Sequence, residues 1–93
     1  MKIVIPEKIL PESLDQLRAE NHKIIYDPQL VDDQKKLLEV AHDADAIIVR
    51  RLTQVKGKLL DSMVNCKAVG RLGVGLDNID VSTCHARGIE VIP

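Results

Sequence analysis

The chain has 93 residues, of which 45% are hydrophobic and 29% charged, and its formal net charge is −1. This length allows one compact domain, and this composition is typical of a globular protein rather than of a disordered chain or a membrane span. A single tyrosine with no phenylalanine or tryptophan, and no basic cluster, argues against nucleic-acid binding.

Two further features narrow the class of protein. The apolar run at residues 1–6 is too short for the core of a signal peptide, so we expect a cytoplasmic protein that does not enter a membrane. Cys66 and Cys84 have neither the density of a disulfide framework nor the spacing of a metal or redox site. We expect both to be buried free thiols, and the partners to be small molecules or proteins.

Short runs rich in isoleucine and valine alternate with longer amphipathic stretches, which is the pattern of β-α units in a parallel sheet. The predicted strands are Lys2–Ile5, Lys23–Tyr26, Ala46–Val49, Ala68–Arg71 and Glu90–Ile92. Their hydrophobicity is typical of strands covered on both faces. Right-handed crossovers favour an α/β fold with a flavodoxin-like parallel sheet of order 2-1-3-4-5 and helices on both faces.

The first two helices follow the first two strands. Pro11 suits the first turn of a helix. The apolar stripe of this first helix, at helical spacing, is predicted to be Leu10, Leu14 and Leu17. Asp32 is predicted to cap the second helix. The apolar stripe of that helix is Leu37, Val40 and Ala41.

Thr53 is predicted to cap a third helix. The apolar side of that helix is Val55, Leu59 and Met63, at a spacing of four. A fourth helix is predicted from Asp80 to Arg87, and Gly88 follows at the position that favours a left-handed C-cap. In a sheet of this kind ligands bind at the carboxyl ends of the strands, so the loops that matter are residues 6–10, 50–53 and 72–78.

The glycine-containing segment 70–78 lies between a strand and a helix, like a dinucleotide-binding fingerprint. Asn78 occupies the third glycine position, and Glu90 opens the next strand instead of closing it, so we do not predict a nucleotide site here. Two interpretations stay open. Gly73 and Gly75 form either an anion-binding nest of backbone N–H groups or a tight turn that needs unusual backbone angles.

Arg50 and Arg51 follow the third strand, where unpaired guanidinium groups should face a cleft or solvent. The planar guanidinium fork matches carboxylate, phosphate or sulfonate groups, so one of the two is a candidate anion clamp. The alternative is that both are solvated and that one pairs with Asp27 or Asp77.

The histidines give no catalytic pattern. His22, His42 and His85 have no acidic partner at a spacing that suggests a proton relay. No serine-histidine-aspartate triad, metal-ligand set or glycosidase pair can be assembled from the chain. We therefore predict no catalytic residue and no metal site within these 93 residues.

Three segments together resemble a known family: Ile48-Val49-Arg50 with Thr53, then residues 69–80 with their Gly-x-Gly-x-Asp-Asn-Ile-Asp run, and then Ala86-Arg87-Gly88-Ile89. They are similar to the N-terminal domain of the D-2-hydroxyacid dehydrogenases, most of all the D-3-phosphoglycerate dehydrogenase branch. The resemblance implies an oxidoreductase in which a flavodoxin-like substrate-binding domain, here residues 1–93, works with a separate nucleotide-binding domain that holds NAD.

The resemblance also implies roles for single residues. Arg50 would hold the anionic tail of the substrate, and backbone N–H groups at Val74 and Gly75 would hold its carboxylate. Gly73, Asp77 and Asn78 would shape the loop, whereas Arg71 would face the cleft or another subunit. The catalytic groups and the NAD fingerprint would lie in the other domain, so this chain alone is expected to be inactive and to bind NAD poorly.

One departure from the resemblance concerns Arg51, which stands where phosphoglycerate dehydrogenases usually have a small hydroxyl residue. The extra charge predicts a preference for a dianionic substrate. The resemblance further implies a homodimer, and an apolar patch on this piece that another part of the enzyme would cover. The rival interpretation is a stand-alone flavodoxin-like ligand-binding or regulatory module without catalysis.

Overall fold

A computed structural model describes residues 1–93, the whole of the chain. Its centre is a five-stranded sheet in the order β2-β1-β3-β4-β5, and all four strand pairs are parallel. The strands are β1 (Lys2–Ile5), β2 (Lys23–Tyr26), β3 (Ala46–Val49), β4 (Ala68–Arg71) and β5 (Glu90–Ile92). The predicted sheet order and strand bounds are confirmed.

Four α-helices and one short 3-10 helix connect the strands: α1 (Pro11–Ala19), the 3-10 helix (Pro28–Asp32), α2 (Gln34–Ala41), α3 (Gly57–Ser62) and α4 (Val81–Ala86). Helices α2, α3 and α4 cover one face of the sheet and enclose a core of 16 buried residues. Helix α1 alone covers the other face, over a cluster of 5. No helix is both long enough and apolar enough to span a bilayer.

The face under α1 is incompletely covered. Leu14 packs on β1 and β3 there, but Ile48 is only half-buried and Ile92, which shares this face through Gly70, is 47% exposed. The open part of the sheet therefore lies over β4 and β5. It presents apolar side chains that would be stabilised by a covering element.

Three details of the predicted helices are wrong. Asp33, not Asp32, caps α2 by accepting the Lys36 N–H at 3.1 Å, because Asp32 is used to end the unpredicted 3-10 helix. Leu10 precedes α1 and is 69% exposed, so it is not part of the apolar stripe. Helix α3 begins only at Gly57 and has no side-chain cap.

The late start of α3 has a tertiary cause. Val55 forms a short parallel bridge with Ile79, in which the Val55 N–H donates to Asn78 O at 2.8 Å and the Asp80 N–H donates to Val55 O at 3.0 Å. This bridge holds the backbone extended after Thr53, so Thr53 cannot cap a helix. Val55, Leu59 and Met63 are all buried, as the predicted stripe requires.

Helix α4 agrees with its prediction. Asp80 caps it by accepting the Thr83 N–H at 3.0 Å and the Thr83 hydroxyl at 2.7 Å. The guanidinium of Arg87, after the last residue of α4, donates to the carbonyl oxygens of Leu60 and Met63 at 2.7 and 2.8 Å. These bonds provide partners for carbonyl groups that the end of α3 leaves without one. The Arg-Gly-Ile segment is thus a structural joint between two helices and β5.

Both cysteines are buried free thiols, as predicted. Burial raises the pKa of the Cys66 thiol and of the Cys84 thiol above the ordinary value. The two side chains therefore behave as small apolar core residues.

We expect Gly88→Ala to lower the free energy of unfolding by about 1–2 kcal/mol, because an L-residue is strained in the left-handed region. Gly88 has φ of 71°, and a Cβ there would meet no atom within 4 Å, so the cost comes from the backbone alone. Urea denaturation measures it. Gly88→Asn is the matched control and should lose less, since asparagine tolerates this conformation; equal losses would contradict the explanation.

Candidate functional site

Three loops meet at the carboxyl edge of the sheet: residues 6–10 after β1, 50–56 after β3 and 72–80 after β4. β1 and β3 are neighbours, but α1 and α2 cover opposite faces, so the strand order reverses between these two parallel strands. Open α/β sheets bind ligands at such a point. A cleft of about 480 Å³ lies there, lined by Lys8, Ile9, Leu10, Pro11, Ser13, Arg50, Leu72 and Gly73.

Glu7 connects the first loop to the second. Its side chain is only 4% exposed, and its carboxylate accepts three backbone N–H groups: Arg50 at 2.7 Å, Leu52 at 3.0 Å and Thr53 at 3.1 Å. These bonds satisfy a buried charge with backbone donors instead of a cation. The loop that carries both arginines is therefore tied to the end of β1.

The pKa of Glu7 reflects this environment. Burial raises the pKa, but the backbone N–H groups of Arg50, Leu52 and Thr53 outweigh it and lower the pKa below the ordinary value of 4.5. The buried Thr53 hydroxyl makes no hydrogen bond, so we attribute the lowered pKa of Glu7 to the three backbone N–H groups. Because the folded-state pKa is lowered, the ionised carboxylate stabilises the fold above about pH 4.5, and this contribution is lost as pH falls through the lowered pKa.

Asn78 ties the third loop to the second from the opposite side. It is 4% exposed, and its Nδ2 donates to Arg50 O at 2.7 Å and to Thr53 O at 2.8 Å. Its Oδ1 accepts a hydrogen bond from Arg71 Nε at 3.3 Å. Asn78 and Glu7 therefore hold the carbonyl and N–H groups of the same four-residue segment.

The cations at this edge have no acidic partner. Arg50 and Arg51 are exposed, and the four ion pairs of the chain involve only Lys2, His22, Lys36 and Lys67. The alternative pairing of an arginine with Asp27 or Asp77 does not form. A second cleft of about 250 Å³ is lined by Arg50, Arg51, Arg71, Leu72, Gly73 and Val74.

The glycine loop borders the same clefts. Gly73 and Gly75 have φ of 121° and 87°, and a Cβ on Gly73 would collide with the Arg71 guanidinium. No hydrogen bond within the chain uses the backbone N–H of residues 73–76, whereas the Leu72 N–H donates to Val49 O at 2.9 Å. These free donors beside unpaired arginines form an arrangement suited to an anion.

The model of the family described as D-isomer specific 2-hydroxyacid dehydrogenase, catalytic domain, matches residues 3–93. The chain belongs to this family. Its relatives include the (S)-sulfolactate dehydrogenase of Chromohalobacter salexigens, which is 47% identical over 70 residues, or 75% of this chain and 23% of the relative. The D-3-phosphoglycerate dehydrogenase of Archaeoglobus fulgidus is 32% identical over 92 residues, or 99% of this chain and 17% of the relative.

Solved structures of the family have the same fold. The NAD⁺-bound 3-phosphoglycerate dehydrogenase of Entamoeba histolytica superposes with a TM-score of 0.78 and 26% identity, covering 98% of this chain and 32% of that one. The chain thus spans less than a quarter of the length of the two curated relatives. The family resemblance drawn from the three segments at residues 48–53, 69–80 and 86–89 is confirmed.

The family uses nicotinamide cofactors, but the residues of this chain do not fit a dinucleotide. The Asn78 side chain occupies the third glycine position of the loop and is bound to Arg50 and Thr53. The N-terminus of α4 is already capped by the Asp80 carboxylate, whose charge opposes a pyrophosphate at that position. The chemistry of the glycine loop therefore does not fit a dinucleotide.

Each predicted site residue has a place in this geometry. Arg50, Arg51, Gly73 and Val74 share one cleft, Gly75 lies beside it in the loop, and Asp77 lines a smaller polar cleft with Arg51. His22 lies away from this edge of the sheet, with its Nε2 3.7 Å from Glu20 Oε2. No group of His, Cys, Asp and Glu residues could hold a metal ion.

Sequence reasoning missed the part that Glu7 plays. The available signal was its position, two residues after β1 at the switch between β1 and β3, where a buried charged residue must find partners. Its partners are 43 to 46 residues away along the chain, so no local spacing could reveal them.

Proposed function

We propose that this chain is the substrate-binding domain of a nicotinamide-dependent dehydrogenase, which interconverts a D-2-hydroxyacid carrying a second anionic group and its 2-oxoacid. The observation that carries this proposal is the cleft in which unpaired Arg50 and Arg51 lie beside the free N–H groups of the glycine loop. In a chain of net charge −1, this local excess of positive charge favours a small acid with more than one negative charge.

The two kinds of donor suit the two ends of such an acid. Backbone N–H groups at Val74 and Gly75 would hold the carboxylate next to the reacting carbon, as a nest of donors does. Arg50, with Arg51 beside it, would hold the second anion through its planar fork. Gly73, Asp77 and Asn78 would shape the loop. Fixing both ends orients the substrate, which can lower a reaction barrier by several kcal/mol.

The relatives support a substrate with two anionic groups. Two of them are named for sulfolactate and for phosphoglycerate, each of which carries a carboxylate and a second acidic group. The sulfolactate relative is the more similar of the two, at 47% against 32% identity.

The surface around the clefts supports a second domain that covers them. Four large apolar side chains on the three loops are exposed to an unusual degree: Leu10 at 69%, Leu52 at 59%, Leu72 at 41% and Val74 at 94%. Apolar side chains around a charged cleft are typical of an edge that another domain closes. That domain would hold NAD and the catalytic groups and supply the hydride chemistry, so this chain alone would be inactive.

The proposal includes a cytoplasmic location and a homodimeric assembly. The first rests on the sequence and the second on the family resemblance. The incompletely covered face over β4 and β5 is available for burial against another part of the protein.

The test is an assay of the full-length gene product with NADH or NADPH against 3-sulfopyruvate, 3-phosphohydroxypyruvate and pyruvate. We expect oxidation of NADH with at least one of the two acids that carry a second anionic group, at a higher kcat/KM than with pyruvate. Binding of these acids without oxidation of either cofactor would instead support a ligand-binding module. The faster use of pyruvate would contradict the dianionic substrate.

A further inference from the structure

We propose that Glu7 is a positioning residue for anion binding: it fixes the backbone of residues 50–53 so that Arg50 and Arg51 line one cleft with their charges unpaired. This inference rests on the proposed function in one respect only, that the ligand is an anionic acid. Glu7 itself is only 4% exposed and acts through the backbone of the loop, so it does not need to touch the ligand.

Residues 50–53 are held by several hydrogen bonds at their backbone groups. Glu7 Oε2 accepts the N–H groups of Arg50 and Thr53, and Oε1 accepts that of Leu52. Asn78 binds the carbonyl oxygens of Arg50 and Thr53 from the other side. A segment held at both its donors and its acceptors is ordered before the ligand arrives, so less conformational entropy is lost on binding.

Glu7 does not neutralise the charge of either arginine. A carboxylate beside two arginines would usually form an ion pair with one of them and cancel its attraction for a ligand. Here both oxygens of Glu7 are taken by backbone N–H groups, and neither guanidinium is in an ion pair. Arg50 Nη1 instead donates to Lys8 O at 3.2 Å, which leaves its charge available.

The carboxylate of Glu7 is required by the number of donors that it meets. Three N–H donors converge on two oxygens, an arrangement that only an ionised carboxylate satisfies in full. A glutamine has one acceptor oxygen, and its NH₂ group would face at least one of the three N–H donors. Glu7→Gln therefore keeps the size of the side chain but loosens the loop.

Positioning and simple electrostatics predict opposite results for Glu7→Gln. Removing a negative charge near the cleft should tighten anion binding if charge alone mattered. If Glu7 positions the arginines, binding should weaken. A role in stability alone would leave the affinity of the folded protein unchanged.

The experiment is a calorimetric titration of the full-length protein with sulfoacetate, an unreactive acid with a carboxylate and a sulfonate. We expect Glu7→Gln to raise the Kd at least about tenfold, and hydrogen–deuterium exchange to be faster at Leu52 and Thr53 but unchanged at Val69 in the core. The matched control is Glu39→Gln, which removes the same charge from an exposed position on α2 and should leave both measurements unchanged.

An unchanged or lower Kd in folded Glu7→Gln would overturn the inference, and so would a failure of the wild-type protein to bind sulfoacetate. If Glu7→Gln does not fold, Glu7→Asp replaces it, since the shorter side chain cannot reach all three donors, and the same outcomes apply. The titration does not depend on catalysis. Absence of dehydrogenase activity would therefore defeat the proposed function and leave this comparison intact.

Discussion

Arg51→Ser in the full-length protein is expected to lower kcat/KM for a sulfonated or phosphorylated 2-oxoacid by about 10- to 100-fold, because a charge-assisted hydrogen bond contributes about 1.5–3 kcal/mol. For pyruvate, which has no second anion, the loss should be below about threefold, since only long-range attraction is removed. Arg51 is exposed and lines the same cleft as Arg50, so its guanidinium can reach a ligand without breaking an ion pair.

Steady-state kinetics with both kinds of substrate would measure this difference. The control is Arg18→Ser, which removes the same charge from the exposed last turn of α1, at the far edge of the sheet. It should change neither value. Equal losses for the dianionic and the monoanionic substrate in Arg51→Ser would rule out Arg51 as the residue that recognises the second anion.

Asn78→Ala is expected to lower the free energy of unfolding by about 2–4 kcal/mol, because leaving a buried polar group unsatisfied costs about 1–3 kcal/mol. Truncation removes the donor to Arg50 O and Thr53 O and the acceptor for Arg71 Nε. Nothing else in the structure replaces these partners. The same change should also release the glycine loop from the segment that carries the arginines.

Urea denaturation of the variant and the wild-type protein, with the m-value compared, measures this loss. Asn65→Ala is the matched control, since Asn65 is exposed and its side chain makes no hydrogen bond within the chain. It should change the free energy of unfolding by no more than about 0.5 kcal/mol. A similar small change in Asn78→Ala would mean that the link between the second and third loops does not stabilise the fold.

The strands and the sheet order follow from local patterns in the sequence. Short apolar runs predicted each strand to the residue. The most continuous are those of β1 and β3, which have buried side chains on both faces. The handedness of the crossovers then leaves few possible orders. The start of α4 is equally local, since Asp80 and Thr83 are three residues apart.

The failure at the start of α3 has a long-range physical cause. Thr53 has a side chain that commonly caps helices. Its N–H, however, donates to the Glu7 carboxylate and its carbonyl oxygen accepts from Asn78, and both partners are distant in sequence. The bridge between Val55 and Ile79 then delays α3 until Gly57. The error at α2 has a local cause. The 3-10 helix ends at Asp32, so α2 begins one residue later than predicted and Asp33 caps it.

The sequence by itself determined the fold class, the family and the loops that form the candidate site, because these depend on periodicity and on motifs whose residues lie close together in the chain. Only the tertiary structure decided how the site is held. Glu7 meets the N–H groups of residues 43 to 46 positions away, and Asn78 meets carbonyl groups 25 to 28 positions away. Such partners come together only when β1, β3 and β4 pair. No local spacing of residues in the sequence therefore indicates their hydrogen bonds.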